Sequence, residues 1–261
     1  MNWDRLCWTC LCSLLLVLPG RAANPPTASP LTDLAHWQAS TAPGRFMTTV
    51  LPDGLGGAWV GVERSGLWHF DGLWWRQEPL PVAREMPLAM ALVKHQLWVG
   101  LARSGIVVRE ADGTWQRQGL EQGFPGQRVT DFWADEQGAV WCTSDRGLWR
   151  HTPAGWTYQG GVERGLLTTL TGWPGGVAVG SANQGLWRLK EGAWQAWTPP
   201  LPDPRVEDLA VIGDQLWCAT MGGAMVLTGQ SWLPRPIPLA LPAATGMHLA
   251  PTDGASLSIA A

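Results

Sequence analysis

Eight arginines carry the chemistry that this sequence offers. Arg45, Arg84, Arg128, Arg164 and Arg205 recur once in each of five similar stretches; they stand 14, 14, 13, 14 and 12 residues before Trp59, Trp98, Trp141, Ala178 and Trp217. Arg64, Arg103 and Arg146 follow three of those positions at short range. A guanidinium presents a fixed fork of donors that suits a carboxylate or a phosphate. The expectation is a binding surface for an anionic ligand, such as an acidic oligosaccharide or an organic acid. The alternative is internal: each arginine pairs with Glu85, Asp131, Glu163, Glu207 or Asp208 and ties neighbouring repeats together.

Other chemistry is poorly represented. His36, His69, His95, His151 and His248 are far apart, without metal-ligand spacing. Tyr158 is the one tyrosine that could serve as a sialidase-type nucleophile. Ala111-Asp112-Gly113-Thr114-Trp115 approaches a sialidase Asp-box but lacks its leading serine, and reads as a hairpin turn. There is no G-x-S-x-G elbow, and the glycines follow the repeat rather than a phosphate loop. No catalytic residue, metal or cofactor is expected, and the chain is read as a non-enzyme.

The elements that must position the arginines are repeats. The stretch GAVWCTSDRGLWRHTPAGWTYQ (138–159) has counterparts at 57–77, 96–118, 175–197 and 214–232. The equivalent positions 59, 98, 141, 178 and 217 are spaced by 39, 43, 37 and 39 residues. Such a period marks a repeat architecture. Each copy holds four short apolar runs, separated by Gly-rich turns such as Asp71-Gly72, Asp112-Gly113 and Glu191-Gly192. Short alternating runs with tight turns are strands, and helical periodicity is absent. Four antiparallel strands per repeat describe a propeller blade. The fold expected is all-β: a β-propeller with five complete repeats (about 44–77, 84–118, 128–159, 164–197, 205–232) and a partial sixth (245–261). Residues 34–43, around Trp37, read as an outer strand of the closing blade. The second-to-third and fourth-to-first strand connections then share one face, where loops on a rigid scaffold bind ligands.

Composition sets outer limits. Charged residues make up 15% of the chain, with 32 Gly, 19 Trp and a net charge of −3. This is no disordered composition, and the charge argues against a general nucleic-acid surface. Most tryptophans are expected between blades, where each buries roughly 150–250 Å²; Trp133 and Trp173 stand outside the repeated positions. Residues 1–22 read as a signal peptide: a short, weakly positive start in which Asp4 offsets Arg5, an apolar run over 6–18, then Gly20-Arg21-Ala22 with cleavage after Ala22. Residues 23–33 read as a Pro/Ser-rich linker. No later segment resembles a membrane span, so a periplasmic or secreted location is expected. Cys142 and Cys218 occupy one repeat position two copies apart, beyond disulfide reach, and read as small buried hydrophobes.

The segment 123–148 (GFPGQRVTDFWADEQGAVWCTSDRGL) resembles the repeat of the two-component regulator propellers. Pro125, Val129, Asp135, Gly138, Trp141, Ser144, Gly147 and Leu148 carry the likeness, with Thr143 where glycine is usual. The resemblance implies the periplasmic sensor module of a bacterial receptor for two-component or cyclic-nucleotide signalling. In that family the propeller precedes a membrane helix and an output domain, so one expectation is a truncated member. The partner implied is a small-molecule or oligosaccharide ligand, with a protein partner as a further option. The alternatives are a carbohydrate-active propeller enzyme, lyase or glycosidase, and a protein-interaction scaffold.

Overall fold

The computed structural model describes residues 16–19, 37–40, 44, 46–161, 163, 165–174, 176–198, 200–212, 214–229, 231–235, 248–251 and 257–260. Arg45 and Arg164, and most of the expected signal peptide and linker, lie outside these residues. Strands β1 (Leu16–Pro19) and β2 (Trp37–Ser40) pair antiparallel.

Five four-stranded antiparallel sheets follow in chain order. Blade 1 holds β3 (Met47–Pro52), β4 (Ala58–Val62), β5 (Gly66–Phe70) and β6 (Trp75–Glu78). Blade 2 holds β7 (Pro87–Val93), β8 (Gln96–Leu101), β9 (Ile106–Arg109) and β10 (Trp115–Gln118). Blade 3 holds β11 (Val129–Ala134), β12 (Val140–Ser144), β13 (Gly147–Thr152) and β14 (Gly155–Gly160). Blade 4 holds β15 (Leu167–Trp173), β16 (Gly176–Ser181), β17 (Leu186–Lys190) and β18 (Ala193–Ala196). Blade 5 holds β19 (Val206–Ile212), β20 (Gln215–Thr220), β21 (Gly223–Thr228) and β22 (Ser231–Arg235). The first strand of each blade lies against the first strand of the next, giving a five-bladed β-propeller. Strands β23 (His248–Pro251) and β24 (Leu257–Ala260) pair with each other, and β23 lies beside β19.

Two sequence features explain how the blades fit. The glycine before each third-strand apolar run sits in the left-handed region: Gly66 (φ 80), Gly105 (φ 76), Gly147 (φ 86), Gly185 (φ 74) and Gly223 (φ 117). A side chain is strained there, so the turn that reverses the second strand selects glycine. The second-strand glycine has a different cause. A Cβ on Gly100 would come within 2.6 Å of Val129 Cγ1, and one on Gly180 within 2.4 Å of Val206 Cγ1. The first residue of the next blade packs onto that bare backbone. Thr143, which replaces glycine in blade 3, is fully buried and hydrogen-bonded to Thr130 Oγ1 at 2.8 Å.

The core is distributed between blades. Val93, Trp98 and Val108 of blade 2 pack with Val129, Phe132 and Cys142 of blade 3. Ala178 and Leu186 of blade 4 pack with Val206, Leu209 and Leu216 of blade 5. The two tryptophans outside the repeat pattern also fill blade junctions. Trp133 covers Gly172 of blade 4, whose Cβ would meet its ring at 2.2 Å, and Trp173 packs on Trp197 with centroids 6.0 Å apart. In blade 1 the pattern shifts by one residue. Trp75 begins β6 and packs on Phe70, while Trp74 just before it is 76% exposed. Cys142 and Cys218 are both free and buried, and burial pushes both thiols up.

Candidate functional site

The second-to-third strand turns and the connections between blades share one face, as backbone hydrogen bonds show. Gly105 N donates to Gln127 O at 2.8 Å, and Gly185 N to Pro204 O at 2.7 Å. Asp145 reaches the same connection: its carboxylate accepts the amides of Gln127 (2.9 Å) and Arg128 (3.1 Å). On this face, between blades 2 and 3, lies an open cleft of about 730 Å³.

Three guanidinium groups line the cleft: Arg103 and Arg146 from the second-to-third strand turns, and Arg117 from β10. Among the described residues no carboxylate lines it. Each turn arginine is braced from behind. Arg103 Nη2 donates to Arg84 O at 2.7 Å, and its Nε stands 3.7 Å from the buried carboxylate of Glu85. Glu85 also accepts the Ser104 hydroxyl at 2.6 Å. Arg146 Nε stands 3.8 Å from Asp145. The side chains of Arg103 and Arg146 remain 71% and 62% exposed. Opposite charges at such distances on a wet surface contribute under about 1 kcal/mol, so both stay available to an anion.

An aromatic wall completes the site. Trp149 and Tyr158 face each other across β13 and β14, with ring centroids 5.1 Å apart. Phe124 is buried and meets Trp149 edge-on at 5.9 Å. The Trp149 indole N–H donates to Arg146 O at 3.0 Å, which fixes the ring. Tyr158 is 47% exposed.

The eight arginines of the sequence reading are thus divided. Arg103 and Arg146 come together in the cleft. Arg84 contributes its carbonyl to Arg103 and holds a left-handed backbone (φ 58). Arg128 is exposed, with its amide on Asp145. Arg205 stands 2.7 Å from Glu207, the kind of internal pair held open as the alternative. Arg64 is 91% exposed beside Glu63. Nor do the repeated arginines share one ladder position. Arg84 stands seven residues before Ala91, the partner of Trp98, while Arg128 and Arg205 stand five before Trp133 and Ala210. Sequence reasoning missed Arg117. Its signal was present, because Arg117 and Tyr158 each fall two residues past the outer-strand tryptophan of adjoining blades.

A second polar cluster joins the inner strands. The half-buried carboxylate of Asp131 accepts Thr169 Oγ1 at 2.8 Å and the Leu170 amide at 2.9 Å, both from blade 4. Thr169 Oγ1 also lies 3.3 Å from Asp208 of blade 5. Burial and the nearby Asp208 charge push Asp131 up to about 7, against those hydrogen bonds. On the opposite face, Asp53 caps its turn by accepting the Leu55 and Gly57 amides and meets His69 at 3.0 Å. Burial would raise Asp53, but these partners outweigh it and hold the carboxyl low. His69 in turn stacks on Trp59 at 4.2 Å. Blade 3 repeats the arrangement with Asp135, Arg150 and Trp141. Arginine in the place of histidine marks a structural brace, not a catalytic pair. Among the described residues no three of His, Cys, Asp and Glu gather as a metal site.

No family model matches the chain, and no curated protein does. Solved structures do. The extracellular domain of the putative hybrid two-component system BT4673 from B. thetaiotaomicron matches with a TM-score of 0.55 and 14% identity, over 78% of this chain and 35% of that one. The chain therefore spans about a third of that domain's length. The likeness to two-component propellers holds at the level of fold. Streptogramin B lyase matches with a TM-score of 0.68 and 16% identity, over 82% and 78% of the two chains. The YCF48 protein bound to a D1 peptide matches with 0.59 and 17%, over 89% and 77%. The propeller scaffold therefore serves binding and catalysis alike, and function must be argued from the site. No helix among the described residues is long and apolar enough to cross a membrane.

Proposed function

We propose that this chain is an exported ligand-binding propeller, the sensor module of a bacterial receptor, and that its ligand is anionic. One observation carries the reading: a chain of net charge −3 gathers three guanidinium groups and, among the described residues, no acid in the lining of one cleft on its loop face. Arg64, Arg84 and Arg128 would add positive charge that draws anions. The extracellular propellers of two-component systems among the structural neighbours support a sensing role. Export rests on the leader over residues 1–22 with cleavage after Ala22, which amino-terminal sequencing of the exported protein tests. The β23–β24 ladder, beside β19, is read as the inner half of a sixth blade.

The test is calorimetric titration with acidic oligosaccharides and organic acids. The Arg103→Ala/Arg146→Ala double variant should bind at least 10-fold more weakly and lose most of its salt dependence. Unchanged affinity would overturn the reading. A second reading, a propeller lyase or glycosidase, is favoured by Asp131 alone, a carboxyl raised to about 7 near a second carboxylate. It requires turnover of a polysaccharide that Asp131→Asn abolishes.

A further inference from the structure

The lining of the blade 2–blade 3 cleft constrains the ligand beyond its charge. Guanidinium groups only donate hydrogen bonds. Side-chain acceptors in the lining reduce to Ser104, Gln127 and the Tyr158 phenol. The Ser104 hydroxyl donates to Glu85 at 2.6 Å, so toward the cleft its oxygen only accepts, and three acceptor side chains face three guanidinium forks of five donors each. A sugar hydroxyl brings a donor that needs an acceptor, and burying it without one is unfavourable. A carboxylate or a phosphate brings acceptors only. The donor-rich, acceptor-poor lining therefore selects polar groups that accept.

The body of the ligand is constrained by the opposite wall. The Trp149 indole N–H is taken by Arg146 O, so the ring offers π surface and no donor. Phe124, Pro125 and Leu120 extend that surface across the connection between the blades. Flat unsaturated rings stack on such surfaces with a gain beyond the area they bury. An arginine fork lies against a conjugated ring equally well. A volume of about 730 Å³ is in the range of small-molecule sites.

We propose that this cleft binds an aromatic anion: a planar unsaturated ring bearing two or more carboxylate or phosphate groups. The ring lies against Trp149 and Tyr158, and the acidic groups meet Arg103, Arg117 and Arg146. This rests on the ligand-binding reading above and narrows it to one class and one cleft.

The experiment is isothermal titration of the full chain with phthalate, isophthalate and terephthalate, which carry one charge pair at three spacings. The comparators are cyclohexane-1,2-dicarboxylate, digalacturonate and inorganic phosphate. At least one benzene dicarboxylate should bind 10-fold or more tightly than all three comparators. Trp149→Leu should reduce that preference several-fold. Arg117→Glu/Arg146→Glu should abolish binding with the thermal midpoint held, since neither side chain is buried. Any of the three comparators binding as tightly as the aromatic acids would overturn the aromatic class and leave the ligand-binding reading intact. Aromatic binding that survives Arg117→Glu/Arg146→Glu would overturn the cleft assignment alone. No binding by any probe would overturn both.

Discussion

Asp131 shows how a single residue is set by its neighbours. In the sequence it is one more carboxylate that could answer an arginine. In the fold it turns to Thr169 and Leu170 of the next blade. Its carboxyl is raised from 3.8 to about 7, so the native state holds a proton that the unfolded chain releases. Between those values the native state binds more protons, and stability therefore falls as pH rises from about 4 to about 7. At about 1.4 kcal/mol per pH unit this amounts to roughly 4 kcal/mol at most. Asparagine keeps the shape and removes the titration. Asp131→Asn should flatten the pH dependence of urea unfolding over that window and be more stable than the parent at pH 8. If the variant is less stable at pH 8, the carboxylate is held ionised and the assignment is wrong.

At the scale of the element, the inner strands share one irregularity. Every first strand carries a register shift one residue in, at Thr48, Leu88, Thr130, Thr168 and Glu207. A bulge there re-aims the side chain out of the ladder. Where the bulged residue is threonine, its hydroxyl donates to the first strand of the next blade. Thr48 reaches Pro87 O, Thr130 reaches Leu167 O at 2.8 Å, and Thr168 reaches Val206 O at 2.7 Å. Side-chain bonds thus lace blade to blade, parallel to the apolar contacts. Thr168→Val keeps the volume and deletes the donor. It should cost about 1–2 kcal/mol in chemical denaturation, the usual cost of a lost partner at a half-buried carbonyl. No loss would mean that water replaces the hydroxyl.

For the whole molecule, the lacing predicts cooperativity. A repeat protein whose units touch only their neighbours can open locally. Here all four junctions between consecutive blades share a core, and three of them add a threonine hydrogen bond, so the blades should open together. Cys142 in blade 3 and Cys218 in blade 5 are built-in reporters, because both are buried and free. Neither should react with a thiol reagent in the native state. Both should become labelled, as read by peptide mass spectrometry, at the same denaturant concentration. Separate midpoints would show that blades 3 and 5 unfold as independent units.

The repeat period, the turn glycines and the outer tryptophans were sufficient for the architecture. A propeller blade is a local object: its strands are consecutive, its turns are short, and each turn fixes its own residue types. The Gly before the third strand is dictated by a backbone angle and the tryptophans by burial, and both show in the linear pattern. The site is of another kind. It forms between blades, so residues separated by a whole repeat must line one cleft, as Arg117 and Tyr158 do. An offset of one or two residues in a loop, invisible to a periodic count, decides whether an arginine enters the cleft or the solvent. Arg84 and Arg128 look equivalent by sequence spacing and are not so in the ladder. The sequence determined the blades. Only the packing of one blade against the next decided which arginines face a ligand, and whether Asp131 answers an arginine or a threonine.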